Sequence, residues 1–122
     1  MEIVNLTPHE IVLYGKHGNE VLARYPSTGK ARCKLKKTSL GRMSGISLYS
    51  MSFGRVSALP AYQKEKLYIV SMMVALAASK RRDDLLFPID LVRDDQGTVI
   101  GCRSFGVFVK QYKQRRREEG TR

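Results

Sequence analysis

Cysteine and histidine are scarce in this chain and tryptophan is absent: two Cys, two His and no Trp among 122 residues. Two cysteines, Cys33 and Cys102, are too few for the disulfide framework of a small secreted domain, so both are expected as reduced, small buried hydrophobes. His9 and His17 both fall early, in turn-forming sequence, and no HxH, HxxxH or CxxC spacing accompanies them. A zinc site is therefore not expected. The carboxylates offer no better start for catalysis. Asp83-Asp84 and Asp94-Asp95 are adjacent pairs near turns, and neighbours along a strand point to opposite faces. No catalytic residue, metal or cofactor is expected. Long apolar runs are also missing. The longest spans residues 67–78, about 12 residues, short of the ~20 a bilayer requires. Met1-Glu2-Ile3 lacks the basic-then-apolar layout of a signal peptide. The expectation is a cytoplasmic protein with no membrane partner.

Acidic residues are the most informative shortage. Lys and Arg number 22 against 11 Asp and Glu, a formal net charge of +11. Folding does not need that excess, and self-repulsion opposes it; a meeting with polyanions accounts for it. With 43% hydrophobic and 27% charged residues the composition is globular. The length suits one domain, read as residues 1–110, with a basic C-terminal tail over 111–122.

The first half reads as strands. Residues 2–6 are short and apolar, and Thr7-Pro8-His9 punctuates them. Ile11-Val12-Leu13-Tyr14 has strand composition, Lys16-His17-Gly18-Asn19 is hairpin chemistry, and residues 20–25 return. In the next stretch Lys30, Arg32, Lys34 and Lys36 alternate with Ala31, Cys33 and Leu35. A period of two places the four cations on one face and the apolar residues on the other. Residues 30–42 hold six cations and no acid. Residues 46–57 alternate again, with Tyr49, Met51 and Phe53 on one side and Ser50, Ser52 and Gly54 on the other. The second half changes character. Residues 67–80 are apolar nearly all round and favour a helix, whose exposed remainder suggests a subunit interface, with Lys80-Arg81-Arg82 suiting its C-terminal dipole. Residues 90–94 and 98–103 form a hairpin about Asp95-Gln96-Gly97, and residues 105–113 a last strand or helix. The expected fold is α+β: an antiparallel β-sheet with one or two helices in a small, oligomeric single domain.

Two kinds of anion site are suggested. Arg24, Arg93 and Arg103 lie beside turns, where guanidinium forks bind phosphate bidentately. Each alone is more often a surface charge. Gly101-Cys102 before Arg103 is small enough to let a ligand approach the backbone. Tyr25, Tyr68 and Phe105 are aromatics that would stack a base, or equally fill a core. Ser27-Thr28-Gly29-Lys30 resembles a phosphate-binding turn but lacks the spacing of a P-loop, and reads more simply as a strand connection. The Lys30, Arg32, Lys34 and Lys36 face instead suits a long polyanion, bound with weak sequence preference and strong salt dependence. No recognition signature for a specific DNA or RNA sequence is present.

The run Asn5-Leu6-Thr7-Pro8-His9-Glu10-Ile11 resembles a family of small phage and prophage proteins. So do Tyr68-Ile69-Val70-Ser71, Arg82-Asp83-Asp84-Leu85, Leu91-Val92-Arg93-Asp94, Gly97 and Gly101-Cys102-Arg103-Ser104, together spanning residues 5 to about 105. The family is similar to the first-described type of phage anti-Thoeris sponge. That resemblance implies sequestration, without cleavage, of a cyclic ADP-ribose isomer in the cytoplasm of an infected bacterial host. It extends to cyclic di- or trinucleotides of CBASS defence, with pockets between the subunits of a homodimer or higher homo-oligomer. It implies arginines on phosphates, matched here to Arg24 and Arg103, and an aromatic on adenine, for which Tyr68 and Phe105 are the candidates. The run from Lys30 to Lys37 and the Arg-rich tail lie outside the family pattern and keep open nucleic-acid binding, or a second site for cyclic oligonucleotides.

Overall fold

The computed structural model describes residues 1–108. The basic tail and the end of the last expected element lie outside the described residues. Short apolar segments bounded by turn chemistry give β1 (Glu2–Asn5), β2 (Ile11–Tyr14) and β3 (Val21–Tyr25). Two long strands follow, β4 (Arg32–Met43) and β5 (Ile46–Ser57). Then come β6 (Lys66–Ile69), α1 (Met72–Ala77), β7 (Leu85–Arg93) and β8 (Val99–Gly106). Six strands form one sheet in the order β1-β6-β7-β8-β2-β3, and β4 and β5 form a separate two-stranded ribbon.

The main sheet is mixed, not purely antiparallel as the sequence suggested. β2–β3 and β7–β8 are antiparallel hairpins, whereas β1–β6, β6–β7 and β2–β8 are parallel. Hairpins announce themselves through local turns. A parallel pair joins segments far apart in sequence and needs a crossover, which leaves no turn signal. The crossover between β6 and β7 contains α1.

Residues 67–80, expected as one buried helix, divide in two. Leu67, Tyr68 and Ile69 belong to β6, where aromatic and β-branched side chains pack well. Ser71 then caps α1, its hydroxyl accepting from the Val74 amide at 3.2 Å. The helix ends at Ala77, so Lys80, Arg81 and Arg82 lie beyond its last turn. Val74 and Ala75 are buried while Met72, Met73 and Leu76 remain exposed.

The core lies between α1 and the centre of the sheet, around Leu6, Tyr68, Val70, Val74, Leu85 and Phe87. Removing one such side chain from water stabilises the fold by about 1.5–3 kcal/mol. Beside it Asp84, wholly buried, is met by a two-pronged Arg82: Nε to Oδ1 at 2.9 Å and Nη2 to Oδ2 at 2.8 Å. Arg82 also lies over the Tyr68 ring, 6.0 Å from its centroid.

The root of the ribbon joins this core through Ala31, Cys33, Val56 and Leu59. Its outer part is exposed on both sides. At the tip Ser44 and Gly45 both have positive φ, 50° and 77°, as a two-residue type I′ turn requires.

Candidate functional site

The ribbon sorts its side chains by face. Lys36 pairs with Ser52 and Thr38 with Ser50, whereas Leu35 pairs with Phe53, Lys37 with Met51 and Ser39 with Tyr49. Partners in register share a face, so Lys36, Thr38, Ser50 and Ser52 stand on one side, and Leu35, Tyr49, Met51 and Phe53 on the other together with Lys37 and Ser39. Gly54 belongs to the polar side. A Cβ there would lie 3.3 Å from the Lys34 Cβ and 3.5 Å from the Lys36 Cε, so the missing side chain leaves room for two lysine stems.

No residue between 21 and 64 is acidic. Among the described residues, none of the ion pairs reaches a ribbon cation. Arg42 donates to the Gly45 carbonyl at 2.7 Å and Lys37 lies 4.5 Å over the Tyr49 ring. Lys34 and Lys36 have no carboxylate partner among the described residues. Arg32 opens β4, but Lys30 precedes the strand. The four-cation alternation is thus three strand positions plus Lys30 at the root, where Lys30 and Arg32 line a depression of about 280 Å³ with Pro8, Ser71 and Met73.

The turn-side arginines are not gathered into one site. Arg24 pairs with Glu10 at 3.1 Å, both exposed. Arg93 donates to the Gly97 carbonyl at 2.8 Å and so closes its own hairpin. Arg103 donates through Nη1 to the carbonyls of Gly15 at 2.6 Å and Gly18 at 2.8 Å, holding the β2–β3 turn. Glu10 and Gly15 flank opposite ends of β2, and Arg93 is separated from Arg103 by the run from Val99, its partner in register, to 103, about 13 Å along a strand. Arg103 does border an open depression of about 510 Å³ with Lys16, Asp90 and Ser104. There the Ser104 hydroxyl donates to Asp90, whose φ of +51° is left-handed.

The aromatics divide likewise. Tyr68 is 2% exposed and belongs to the core. Phe105 is half-buried and meets Tyr25 edge-to-face at 6.0 Å. The space beside Gly101 is filled from within: a Cβ there would lie 2.5 Å from the Val12 carbonyl oxygen and 2.6 Å from the Tyr14 ring. Ser27 and Thr28 turn inward as well, Ser27 donating to the Thr7 carbonyl at 2.5 Å and Thr28 to that of Asn5 at 3.1 Å.

Asn5 is a hub that the sequence did not reveal. Its amide donates to the carbonyls of His9 and Tyr25, both at 2.8 Å, and its Oδ1 accepts from the amide and hydroxyl of Thr7 at 2.9 and 2.7 Å. The Asn5-to-His9 motif therefore locks the end of β1 to the end of β3. Cys102 is wholly buried, and burial, together with the nearby Asp90 carboxylate, pushes its thiol pKa above the ordinary value. A backbone hydrogen bond at Ser104 opposes that shift.

Among the described residues no helix is long and apolar enough to cross a membrane, and no group of three or more His, Cys, Asp or Glu side chains is placed to hold a metal ion. No protein-family model matches the chain, and no curated protein or solved structure shows significant similarity to it.

Proposed function

We propose that this chain is a non-catalytic binding protein that captures a polyanion, with nucleic acid as the ligand class, on the polar face of the β4–β5 ribbon. One observation carries the reading: an exposed ribbon of two 12-residue strands, free of acid, with Lys34, Lys36, Thr38, Ser50 and Ser52 on one face. Lysine ammonium groups neutralise phosphates as point charges, and hydroxyls donate to phosphate oxygens. A two-stranded ribbon fits the major groove of B-DNA, which is about 12 Å wide. Arg32 at the root is the one guanidinium of that alternation and no side-chain amide joins it, so binding is set chiefly by backbone charge. Anisotropy of a labelled duplex tests this. Lys34→Ala with Lys36→Ala should weaken binding by at least tenfold, while Arg103→Ala should leave it unchanged; the reverse ranking would move the site off the ribbon.

The depression beside Arg103 supports a second reading, sequestration of a cyclic ADP-ribose-type signal or a cyclic oligonucleotide. Lys16 and Arg103 supply cations there, and Asp90 with Ser104 supplies polar groups for sugar hydroxyls. Calorimetric titration with a cyclic ADP-ribose isomer separates the two. Stoichiometric binding lost in Arg103→Ala and kept in the double lysine variant would make sequestration the function.

A further inference from the structure

One extra residue resets the faces of the β4–β5 ribbon near its tip. Ser39 pairs with Tyr49 and the next pair is Gly41 with Leu48, so β4 takes two steps where β5 takes one. Such a bulge carries the later side chains of its strand to the other face. Gly41 accommodates it with a φ of +92°, and its amide donates to the Ser39 hydroxyl at 3.2 Å. Strict alternation from Lys36 would put Met43 on the Lys37 side; the bulge brings it to the Lys36 face instead. There it pairs with Ile46, and Leu48 stands opposite Gly41, one pair nearer the root. Met43, Ile46 and Leu48 are 66%, 63% and 37% exposed. The turn that carries them is tied down by Arg42, which donates to the Gly45 carbonyl. The basic face thus runs from Lys34 and Lys36, through the hydroxyls of Thr38, Ser50 and Ser52, to an apolar end.

We infer that this apolar end reads thymine. Met43, Ile46 and Leu48 cover thymine C5-methyl groups in the major groove of DNA while the lysines hold phosphates. This holds only if the polar ribbon face is the duplex-binding surface proposed above, and it narrows the ligand from nucleic acid to A·T-rich DNA. Two strands about 4.8 Å apart span ~10 Å with their side chains, which suits the ~12 Å major groove and not the ~6 Å minor groove. That fit disfavours the apolar wedge that minor-groove binders drive between base pairs. In the major groove the thymine methyl is the apolar group that a base pair presents. The acid-free ribbon draws the duplex in by charge, and the tip then meets the methyls on the groove floor. Duplex RNA offers neither feature: its major groove is too deep and narrow for side chains to read, and uracil carries no methyl. Covering one methyl is worth about fourfold in affinity.

Anisotropy titrations of the full chain test this with three duplexes of one length and sequence. They are an A·T-rich DNA, the same DNA with uracil in place of thymine, and the corresponding RNA. Thymine DNA should bind at least fourfold more tightly than uracil DNA at the same salt, and RNA should bind most weakly. Met43→Ser combined with Ile46→Ser should make the two DNAs equal, with circular dichroism unchanged. Lys34→Ala combined with Lys36→Ala should weaken both and leave their ratio as it was. Equal binding of the two DNAs by the unaltered chain overturns thymine reading and leaves the polyanion proposal standing. A thymine preference that survives in the Met43 and Ile46 double variant overturns it as well. So does kinking of the duplex in end-to-end energy transfer, the mark of an inserted wedge. No duplex binding even at low salt would defeat the polyanion proposal and thymine reading together.

Discussion

Lys36 stands directly across the β4–β5 ribbon from Ser52. That pairing places Lys36 beside the β5 hydroxyls, while Leu35, Met51 and Phe53 face the other way together with Lys37; Leu48, in step with Ser50 and Ser52, shares the Lys36 face. Two independent alternations, either of which would serve an ordinary half-buried strand, combine into an amphipathic arm that the core holds only at its root. The proposed function rests on this arm.

If the Asn5 side chain is the joint between β1 and β3, Asn5→Ala should be among the most damaging small substitutions. It leaves the Thr7 amide without its partner and takes the side-chain donor from the Tyr25 carbonyl, while the His9 carbonyl keeps only the Thr7 hydroxyl at 3.1 Å. At 1–3 kcal/mol per orphaned buried group, the loss should be roughly 3–5 kcal/mol. Urea unfolding should show a lower midpoint with the slope preserved. A loss under about 1 kcal/mol would show that water replaces the network.

Arg82→Ala strands a carboxylate that is wholly buried. Breaking one side of a buried pair costs about 3–5 kcal/mol, whereas removing both partners costs less than the sum. A double-mutant cycle with Asp84→Ala should therefore give a coupling of the order of 2 kcal/mol. Additive losses would mean that each side chain acts alone.

Cys102 and Cys33 should differ in reactivity and in pH dependence. Cys33 is half-buried and Cys102 buried, so a thiol reagent should label Cys33 first and Cys102 only on unfolding. Burial raises the Cys102 pKa in the folded chain above its ordinary 9.0. Above that pH the unfolded chain has lost a proton that the native chain retains. The unfolded state is thereby favoured, and stability falls as pH rises. Cys102→Ala should flatten the alkaline limb of a stability–pH curve, apart from any constant offset. An identical slope in both proteins would refute the assignment.

Local chemistry made the hairpins legible in the sequence: Lys16-His17-Gly18-Asn19 between β2 and β3, Asp95-Gln96-Gly97 between β7 and β8, and the period of two in β4 and β5. What stayed hidden were relations between distant segments. Nothing local marks β1 as the neighbour of β6, because a parallel pair has no turn of its own. Ser71 was the missed signal within residues 67–80, a capping residue that divides an apolar run into strand and helix. The basic face was legible because charge and period need no tertiary knowledge. Its position on a free ribbon was not, since the same pattern suits a strand of the main sheet. For Arg24, Arg93 and Arg103, proximity to turns was visible, but their partners, Glu10 and the carbonyls of Gly97, Gly15 and Gly18, come from folding.

The most direct test of the central claim is the salt dependence of duplex binding by the full chain. Each phosphate neutralised lowers the slope of log K against log salt by about 0.9, so the basic face of Lys30, Arg32, Lys34 and Lys36 predicts a slope of about −3.6. The slope should become less negative by about 1.8 when Lys34 and Lys36 are both replaced by alanine. No binding at low salt, or a slope that the two substitutions leave unchanged, would contradict the account.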